Sequence, residues 1–121
     1  NCPEADGKTL FLDARAKAEY EVSHIPKAQW VGFMAFQKKA LKNIDKNQPI
    51  VVYCSVGYRS EKIAEKIKAM GFTNVSNLYG GIFAWKNQGR KVVDNQEKET
   101  NLVHTYNEEW GQWLEVGEKT H

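Results

Sequence analysis

The chain alternates between short apolar runs and longer stretches with helical spacing. Residues 50–54 form an unbroken apolar run with two adjacent valines, which is typical of a strand covered on both faces. Residues 8–13 read as a shorter buried strand that ends on Asp13. Residues 61–70 place Ile63 and Ile67 on one stripe, and a glycine follows. The centre of the chain therefore predicts a buried strand followed closely by an amphipathic helix.

Weaker patterns on either side extend this rhythm. The spacing predicts strands over residues 29–33 and 74–79, and helices over residues 14–22, 34–44 and 82–89. Strands that alternate with helices in this way favour an α/β fold with a parallel sheet.

Composition narrows the classes of function. The 121 residues suit one domain, and 41% hydrophobic with 26% charged residues is typical of a globular protein. A formal net charge of +2 is too small to predict binding to nucleic acid or to an anionic membrane. No apolar run reaches the ~20 residues of a membrane span. Cys2, Cys54 and the histidines show no metal-ligand spacing, so we expect no metal and no cofactor.

The compartment stays open on sequence grounds. The cytoplasm is the default expectation. The sequence opens on Asn1 rather than methionine, so an exported form with a removed signal peptide is the alternative.

Cys54 and the residues after it carry the strongest signal for chemistry. Ligands of an open parallel sheet bind beyond the carboxyl ends of its strands, and Cys54 ends the most apolar one. The next helix begins close by, and the amides of its first turn attract anions. A cysteine sulfur held there favours its thiolate form and becomes a nucleophile. Gly57 lets the loop turn tightly, and Arg59 offers a fork of donors to an oxyanion.

The alternative for Cys54 is plain packing, because free cysteine is among the most buried residue types. The glycine, the arginine and the helix that follow favour the catalytic interpretation.

Three motifs in order resemble the rhodanese family of sulfurtransferases. The loop CSVGYRS, residues 54–60, resembles that family's active-site loop. Residues 10–28 resemble its Asp-x-Arg strand end and His-Ile-Pro segment, and residues 74–89 its glycine-glycine turn and tryptophan-containing helix. The resemblance covers residues 9–92. It implies an α/β, rhodanese-like fold with a central five-stranded parallel sheet and helices on both faces.

The resemblance also implies a thiosulfate sulfurtransferase-like enzyme. Cys54 would accept a sulfane sulfur from a donor such as thiosulfate, forming a persulfide, and pass it to cyanide, a thiol or an acceptor protein. Such a covalent relay predicts ping-pong kinetics. Arg59 matches the basic residue that helps to bind the anionic donor. The residues implied to form an amide cradle for the substrate are Ser55, Val56, Gly57, Tyr58, Arg59 and Ser60.

Two other functions remain open at this point. One is a module of the same fold that carries sulfur or binds a partner without catalysing turnover, although Cys54 and Arg59 speak against an inert version. The other is a phosphatase or arsenate reductase. Related phosphatases place five residues between cysteine and arginine, whereas four separate them here. The tighter ring suits a sulfur atom better than a bound phosphate.

The resemblance divides the chain in two. We expect a rhodanese-like domain over residues 1–92, whose N-terminal edge strand is either truncated or reduced. Over residues 93–121 we expect an extension that docks the aromatic residues Tyr106, Trp110 and Trp113 on that domain. We interpret Asp13 and Arg15 as a structural clamp, and His24 as unnecessary for catalysis if the cysteine is already ionised.

Overall fold

A computed structural model describes residues 9–33, 36, 38–55, 57–78, 80–100, 102–104 and 118–120. The strands and helices are, in chain order, β1 (Leu10–Asp13), α1 (Lys17–Val22), β2 (Gln29–Trp30), a 3₁₀ helix (Lys38–Leu41), β3 (Ile50–Tyr53), α2 (Tyr58–Ala69), β4 (Val75–Asn77), α3 (Gly81–Asn87), β5 (Val92–Val93), β6 (Glu99–Thr100), β7 (Leu102–His104) and β8 (Glu118–Thr120). In the described part of the chain, no helix is both long enough and apolar enough to cross a membrane.

The main sheet is parallel and has the strand order β2–β1–β3–β4. Its central pair, β1 and β3, runs in register from Leu10 opposite Ile50 to Asp13 opposite Tyr53. The prediction of a five-stranded sheet was wrong for the described residues, which contribute four strands. The remaining described strands form two separate pairs outside this sheet, β5 with β6 and β7 with β8. The expected truncated or reduced edge falls in residues 1–8, outside the described residues.

Helices cover both faces of the sheet, as predicted. Along β3 the side chains alternate, so Ile50 and Val52 pack with α2, whereas Val51 and Tyr53 pack with α3. All four are buried, which explains the unbroken apolar run. The cluster on the α2 face contains Leu12, Val31, Leu41, Ile63, Ala64, Ile67 and Phe72, and that on the α3 face contains Phe11, Ile25, Ile82, Phe83, Trp85 and Val103.

All four helices differ from their predicted bounds. The helix predicted over residues 14–22 is α1 (Lys17–Val22), and the one predicted over residues 82–89 is α3 (Gly81–Asn87). The other two differ in ways that matter more for the fold or the site. The described part of residues 34–44 holds only the single 3₁₀ turn, and Asn43 then adopts a left-handed φ of 70° that no helix continues through. The second helix begins at Tyr58 rather than after Ser60, because Gly57 caps it with a φ of 110°. The early start brings Arg59 and Ser60 into the first helical turn, so both can contact the Cys54 loop.

Residues beyond the main sheet also contribute to the core. Val93 exchanges two backbone hydrogen bonds with His24, at 2.8 and 2.9 Å, which ties β5 to the segment after α1. Val103 is fully buried in the cluster on the α3 face. The aromatic residues expected to dock, Tyr106, Trp110 and Trp113, lie outside the described residues, so the proposed extension stays a prediction.

Candidate active site

Cys54 lies at the carboxyl end of β3 and is fully buried. The backbone N–H of Gly57 points back at it and donates to Sγ at 3.0 Å. This return requires the left-handed φ of 110° at Gly57, a conformation that side-chain-bearing residues rarely adopt. A donor N–H aimed at sulfur places the positive end of a peptide dipole beside that atom. The structure therefore shows a hydrogen bond to Cys54 Sγ from one loop amide, that of Gly57.

The start of α3 fixes the first two peptides of the loop. Ile82 N–H donates to the Cys54 carbonyl at 2.8 Å, and Phe83 N–H donates to the Ser55 carbonyl at 3.1 Å. The described peptides contain no cis bond, so the N–H of Ser55 points away from α3. A Cβ at Gly81 would lie 2.5 Å from the Ser55 carbonyl oxygen, so only glycine permits this approach. The glycine-glycine turn thus serves to clamp the loop carbonyls.

The remaining loop residues lie in the first turn of α2. The amides of Tyr58, Arg59 and Ser60 occupy the helical positions that have no carbonyl four residues back within the helix. The side chain of Tyr58 is 63% exposed, whereas that of Ser60 is fully buried. Val56 lies outside the described residues. The six-residue amide cradle stays a prediction, and the amide of Gly57 is the member whose contact with Sγ the structure gives.

Arg59 contacts a carboxylate rather than presenting its fork to the loop centre. Its Nη1 and Nη2 donate to Oε1 and Oε2 of Glu19 at 2.8 and 3.0 Å, which is a bidentate ion pair. Ser55 Oγ donates to Glu19 Oε2 at 3.1 Å and lies 3.0 Å from Arg59 Nη2. Glu19 is 1% exposed and the Arg59 side chain 12% exposed. The pair anchors the loop to α1, across 40 residues of sequence.

The electrostatics of this pair are strong because it is buried. Burial alone would raise the pKa of Glu19, but the hydrogen bonds and charge of Arg59, helped by Arg15 and the Ala16 amide, hold that pKa below its ordinary 4.5. For Arg59, burial opposes the charged form, and the Glu19 carboxylate outweighs it and raises the pKa. Both groups are therefore ionised at neutral pH, and their charges offset each other.

Asn77, at the end of β4, supports the loop from the other side. Its Nδ2 donates to the Gly57 carbonyl at 3.1 Å, and its Oδ1 accepts a hydrogen bond from the Ser60 hydroxyl. Ser60 Oγ also lies 3.5 Å from Cys54 Sγ and 3.2 Å from the Gly57 carbonyl. A hydroxyl has one proton, so donation to sulfur competes with donation to these oxygens. Asn77 thereby influences both the loop backbone and the Ser60 proton.

The structure places Asp13 and Arg15 in a buried clamp, as interpreted from the sequence. Both are fully buried, and Arg15 Nη2 lies 2.7 Å from Asp13 Oδ2 and 2.6 Å from the Ser23 carbonyl. Burial and the Asp13 carboxylate raise the pKa of Tyr53 well above its ordinary value, so its phenol stays neutral. The ion pair of Asp13 and Arg15 connects β1 to the end of α1.

His24 is buried and also structural. Its Nδ1 lies 2.9 Å from the Tyr20 carbonyl, and its ring stacks on that of Tyr20 with centroids 3.9 Å apart. Its Nε2 lies 3.4 Å from Oε1 of Glu97, and none of its described contacts involves the Cys54 loop. Among the described residues, no three potential metal-binding side chains lie together.

Sequence reasoning missed two residues of the site, Glu19 and Asn77. Glu19 reads as one of several polar residues in a short helix, and only its burial distinguishes it. The available signal was the isolated Arg59 in the first turn of a helix, where a cation opposes the helix dipole and calls for an acidic partner.

Comparisons with known proteins identify the family of the chain and its curated relatives. A family model described as Rhodanese-like domain matches residues 3–88. A tRNA uridine(34) hydroxylase of Buchnera aphidicola subsp. Acyrthosiphon pisum is 32% identical over 130 residues, covering 92% of this chain and 40% of that protein. The corresponding protein of Escherichia fergusonii is 33% identical over 91 residues, covering 71% and 26%. The chain thus spans 40% or less of the length of these curated relatives.

Solved structures show the same similarity. The solution structure of the Rhodanese-like domain from the Anabaena sp. Alr3790 protein has a TM-score of 0.68 and 26% identity, covering 74% of this chain and 67% of that one. A structure described as rhodanese with anions, from E. coli, has a TM-score of 0.61 and 26% identity, covering 72% and 99%.

Proposed function

The chain belongs to the rhodanese-like domain family, and from this premise we propose that it is a sulfurtransferase that carries sulfane sulfur as a persulfide on Cys54. The observation that carries the proposal is the Gly57 N–H donated to Cys54 Sγ at 3.0 Å. That hydrogen bond directs the positive end of a peptide dipole at the sulfur that would act as the nucleophile.

The reaction is a relay of one sulfur atom. The Cys54 thiolate attacks the sulfane sulfur of a donor, the donor's S–S bond breaks, and its electron pair leaves with the rest of the donor. An acceptor nucleophile, cyanide or a thiol, then attacks the outer sulfur and releases Cys54 as a thiolate. Thiosulfate is the reference donor implied by the family, and an acceptor protein is included among the acceptors. The loop amides would hold the outer sulfur between the two steps.

Burial of Cys54 sets a condition on this chemistry. Its side chain is fully buried, so a donor reaches Sγ only when the covering residues move aside. We therefore expect a small alkylating reagent to modify Cys54 in the native state, at a rate limited by this opening. If Cys54 reacts with neither the reagent nor any donor unless the protein is denatured, the residue is a packing cysteine and the proposal is wrong.

The direct test is mass spectrometry of the intact protein after incubation with sulfur donors. We expect a mass gain of one sulfur atom on Cys54, reversed by cyanide with formation of thiocyanate. The variant Cys54→Ser should show neither. Steady-state kinetics should be ping-pong, giving parallel lines in double-reciprocal plots. Loading without turnover would point to the alternative of a sulfur carrier, and turnover that appears only with a protein partner would support it.

The phosphatase alternative has its own readout. Hydrolysis of an aryl phosphate that is lost in Cys54→Ser would favour it. The four-residue spacing between Cys54 and Arg59 and the pairing of Arg59 with Glu19 both speak against a phosphate-binding ring.

The relatives named tRNA uridine(34) hydroxylase supply a second candidate, a contribution to tRNA modification. The chain covers only 40% and 26% of those proteins, so it corresponds to one part of them. The net charge of +2 predicts weak binding to RNA. Measuring the affinity of the chain for tRNA at several salt concentrations, together with oxygen incorporation at uridine 34, tests this candidate separately from sulfur loading.

A further inference from the structure

Resting on the proposed function, we propose that the sulfur donor is an organic persulfide, R–S–SH, whose carbon group carries no further negative charge, rather than the thiosulfate dianion. The inference comes from the charges around the Cys54 loop and from the exposed aromatic residue that follows Gly57.

The guanidinium of Arg59 is committed to Glu19. Nη1 and Nη2 donate to the two carboxylate oxygens at 2.8 and 3.0 Å. The two nitrogens that would bind an oxyanion of the donor therefore already bind the Glu19 carboxylate. Ser55 Oγ adds a third hydrogen bond to the same carboxylate at 3.1 Å, which reinforces the arrangement. A sulfonate from the donor would have to compete with a buried carboxylate that the protein supplies itself.

The second guanidinium of this region is neutralised in the same way. Arg15 lies 2.7 Å from Asp13 Oδ2, and both residues are fully buried. The formal charges of the two ion pairs therefore cancel. When a Cys54 thiolate is added, the total formal charge of the two pairs and the cysteine is negative. A donor with two negative charges approaches a thiolate of like sign with peptide dipoles as its main compensation. Like charges repel more strongly inside a protein than in water, so each further negative charge on the donor slows its approach.

Tyr58 gives a carbon-bearing donor something to contact. It directly follows Gly57, begins α2, and exposes 63% of its surface, more than any other large hydrophobic residue described. An aromatic ring next to the loop offers apolar area to an organic group, whereas a sulfonate gains nothing from it. The exposed ring of Tyr58 thus favours a donor with a carbon group.

The proposed step is balanced without any oxidant. The Cys54 thiolate attacks the terminal sulfur of R–S–SH, a new S–S bond forms, and the donor's S–S bond breaks. The electron pair leaves with R–S⁻, and the hydrogen stays on the transferred sulfur, giving a Cys54 hydropersulfide.

The first test uses the wild-type protein and three donors, the persulfides of 2-mercaptoethanol, mercaptoacetate and mercaptosuccinate. These carbon groups carry no, one and two carboxylates. The rate of Cys54 persulfidation, followed by mass spectrometry, is divided by the rate of transfer to the uncharged thiol N-acetylcysteine amide, which removes intrinsic reactivity. We expect this normalised rate to fall at least about tenfold from the first donor to the third. A flat or rising series would overturn the inference.

The second test releases the charge of Arg59. In Glu19→Gln we expect the ratio of loading from 2-mercaptoethanol persulfide to loading from thiosulfate to fall about tenfold, because an uncompensated guanidinium attracts the dianion. Glu21→Gln removes the same charge from an exposed position on the same helix and should leave the ratio unchanged. An unchanged ratio in Glu19→Gln contradicts the inference. If that variant does not fold, the wild-type donor series decides.

A third test identifies the source of the persulfide, by measuring the rate at which a persulfidated uncharged peptide loads sulfur on Cys54. Faster loading from the peptide than from the small persulfide assigns a protein donor, and slower loading assigns a small-molecule donor. Failure of the inference differs from failure of the proposed function: absence of loading from every donor defeats the function, whereas efficient loading favouring thiosulfate defeats only the donor assignment.

Discussion

Replacing Gly81 with alanine tests whether α3 holds the Cys54 loop in shape. Gly81 has a φ of 61°, and a Cβ there would press on the Cys54 carbonyl oxygen and lie 2.5 Å from that of Ser55. Both neighbours are backbone atoms, so no side chain can move out of the way. The loop and the start of α3 must separate, which weakens the hydrogen bonds from Ile82 and Phe83.

The size of the effect follows from two contributions. Forcing alanine into a left-handed conformation costs about 1–2 kcal/mol. Losing two backbone hydrogen bonds adds about 0.5–1.5 kcal/mol for each. Gly89 separates the two contributions, because its φ is 78° and a Cβ there meets nothing within 4 Å. We therefore expect Gly89→Ala to cost about 1–2 kcal/mol and Gly81→Ala about 2–5 kcal/mol.

Thermal unfolding and persulfide loading measure the two consequences. For a chain of this length, 1 kcal/mol corresponds to about 4 °C in Tm, so Gly81→Ala should unfold well below Gly89→Ala. At a temperature where both are folded, Gly81→Ala should load sulfur on Cys54 more slowly, and Gly89→Ala at the wild-type rate. Equal stability losses in the two variants would refute the close approach of α3 to the loop carbonyls.

Three further outcomes follow from the hydrogen bonds around the loop. Glu19→Gln should lower the free energy of unfolding by about 3 kcal/mol at neutral pH, as measured by urea titration. Because the folded-state pKa of Glu19 lies below 4.5, this difference should be intact above pH 4.5 and should shrink as the pH falls through the folded-state pKa. Arg59→Lys keeps the charge but loses the bidentate geometry, and should cost about 1–2 kcal/mol in the same assay. Asn77→Ala, which removes the donor to the Gly57 carbonyl, should cost about 1 kcal/mol, whereas exposed Ser76→Ala should be neutral.

The elements that surround the site were predictable because their packing requires a local pattern of apolar residues in the sequence. The strand β3 is buried on both faces, so it reads as an unbroken apolar run, and the stripe of Ile63 and Ile67 indicates the buried face of α2. The helix start was placed too late because a serine resembles a cap, whereas Gly57 provides the cap through its backbone conformation. That difference moved Arg59 from a loop into a helix.

The partner of Arg59 could not be predicted, because the relevant signal is not local. Glu19 lies in a helix of six residues whose charged side chains look alike in sequence. Its burial depends on how α1 packs, and α1 holds it 40 residues before Arg59 in the sequence. Asn77 has the same character, since an asparagine at a strand end is ordinary until β4 is seen beside β3. Contacts between elements distant in sequence were therefore the part that required the structure.

The pairing of Arg59 with Glu19 changes which residues should matter most for sulfur transfer. An unpaired arginine would make a side-chain cation the main source of positive potential at the loop. A buried carboxylate offsets the charge of Arg59, and the ion pair holds α1 against the loop, whereas the Gly57 N–H contacts Cys54 Sγ directly. Peptide dipoles act only at short range and in one orientation, so the site depends on backbone geometry. Substitutions that disturb the backbone at Gly57 or Gly81 should therefore slow persulfide formation more than substitutions that alter nearby side-chain charge.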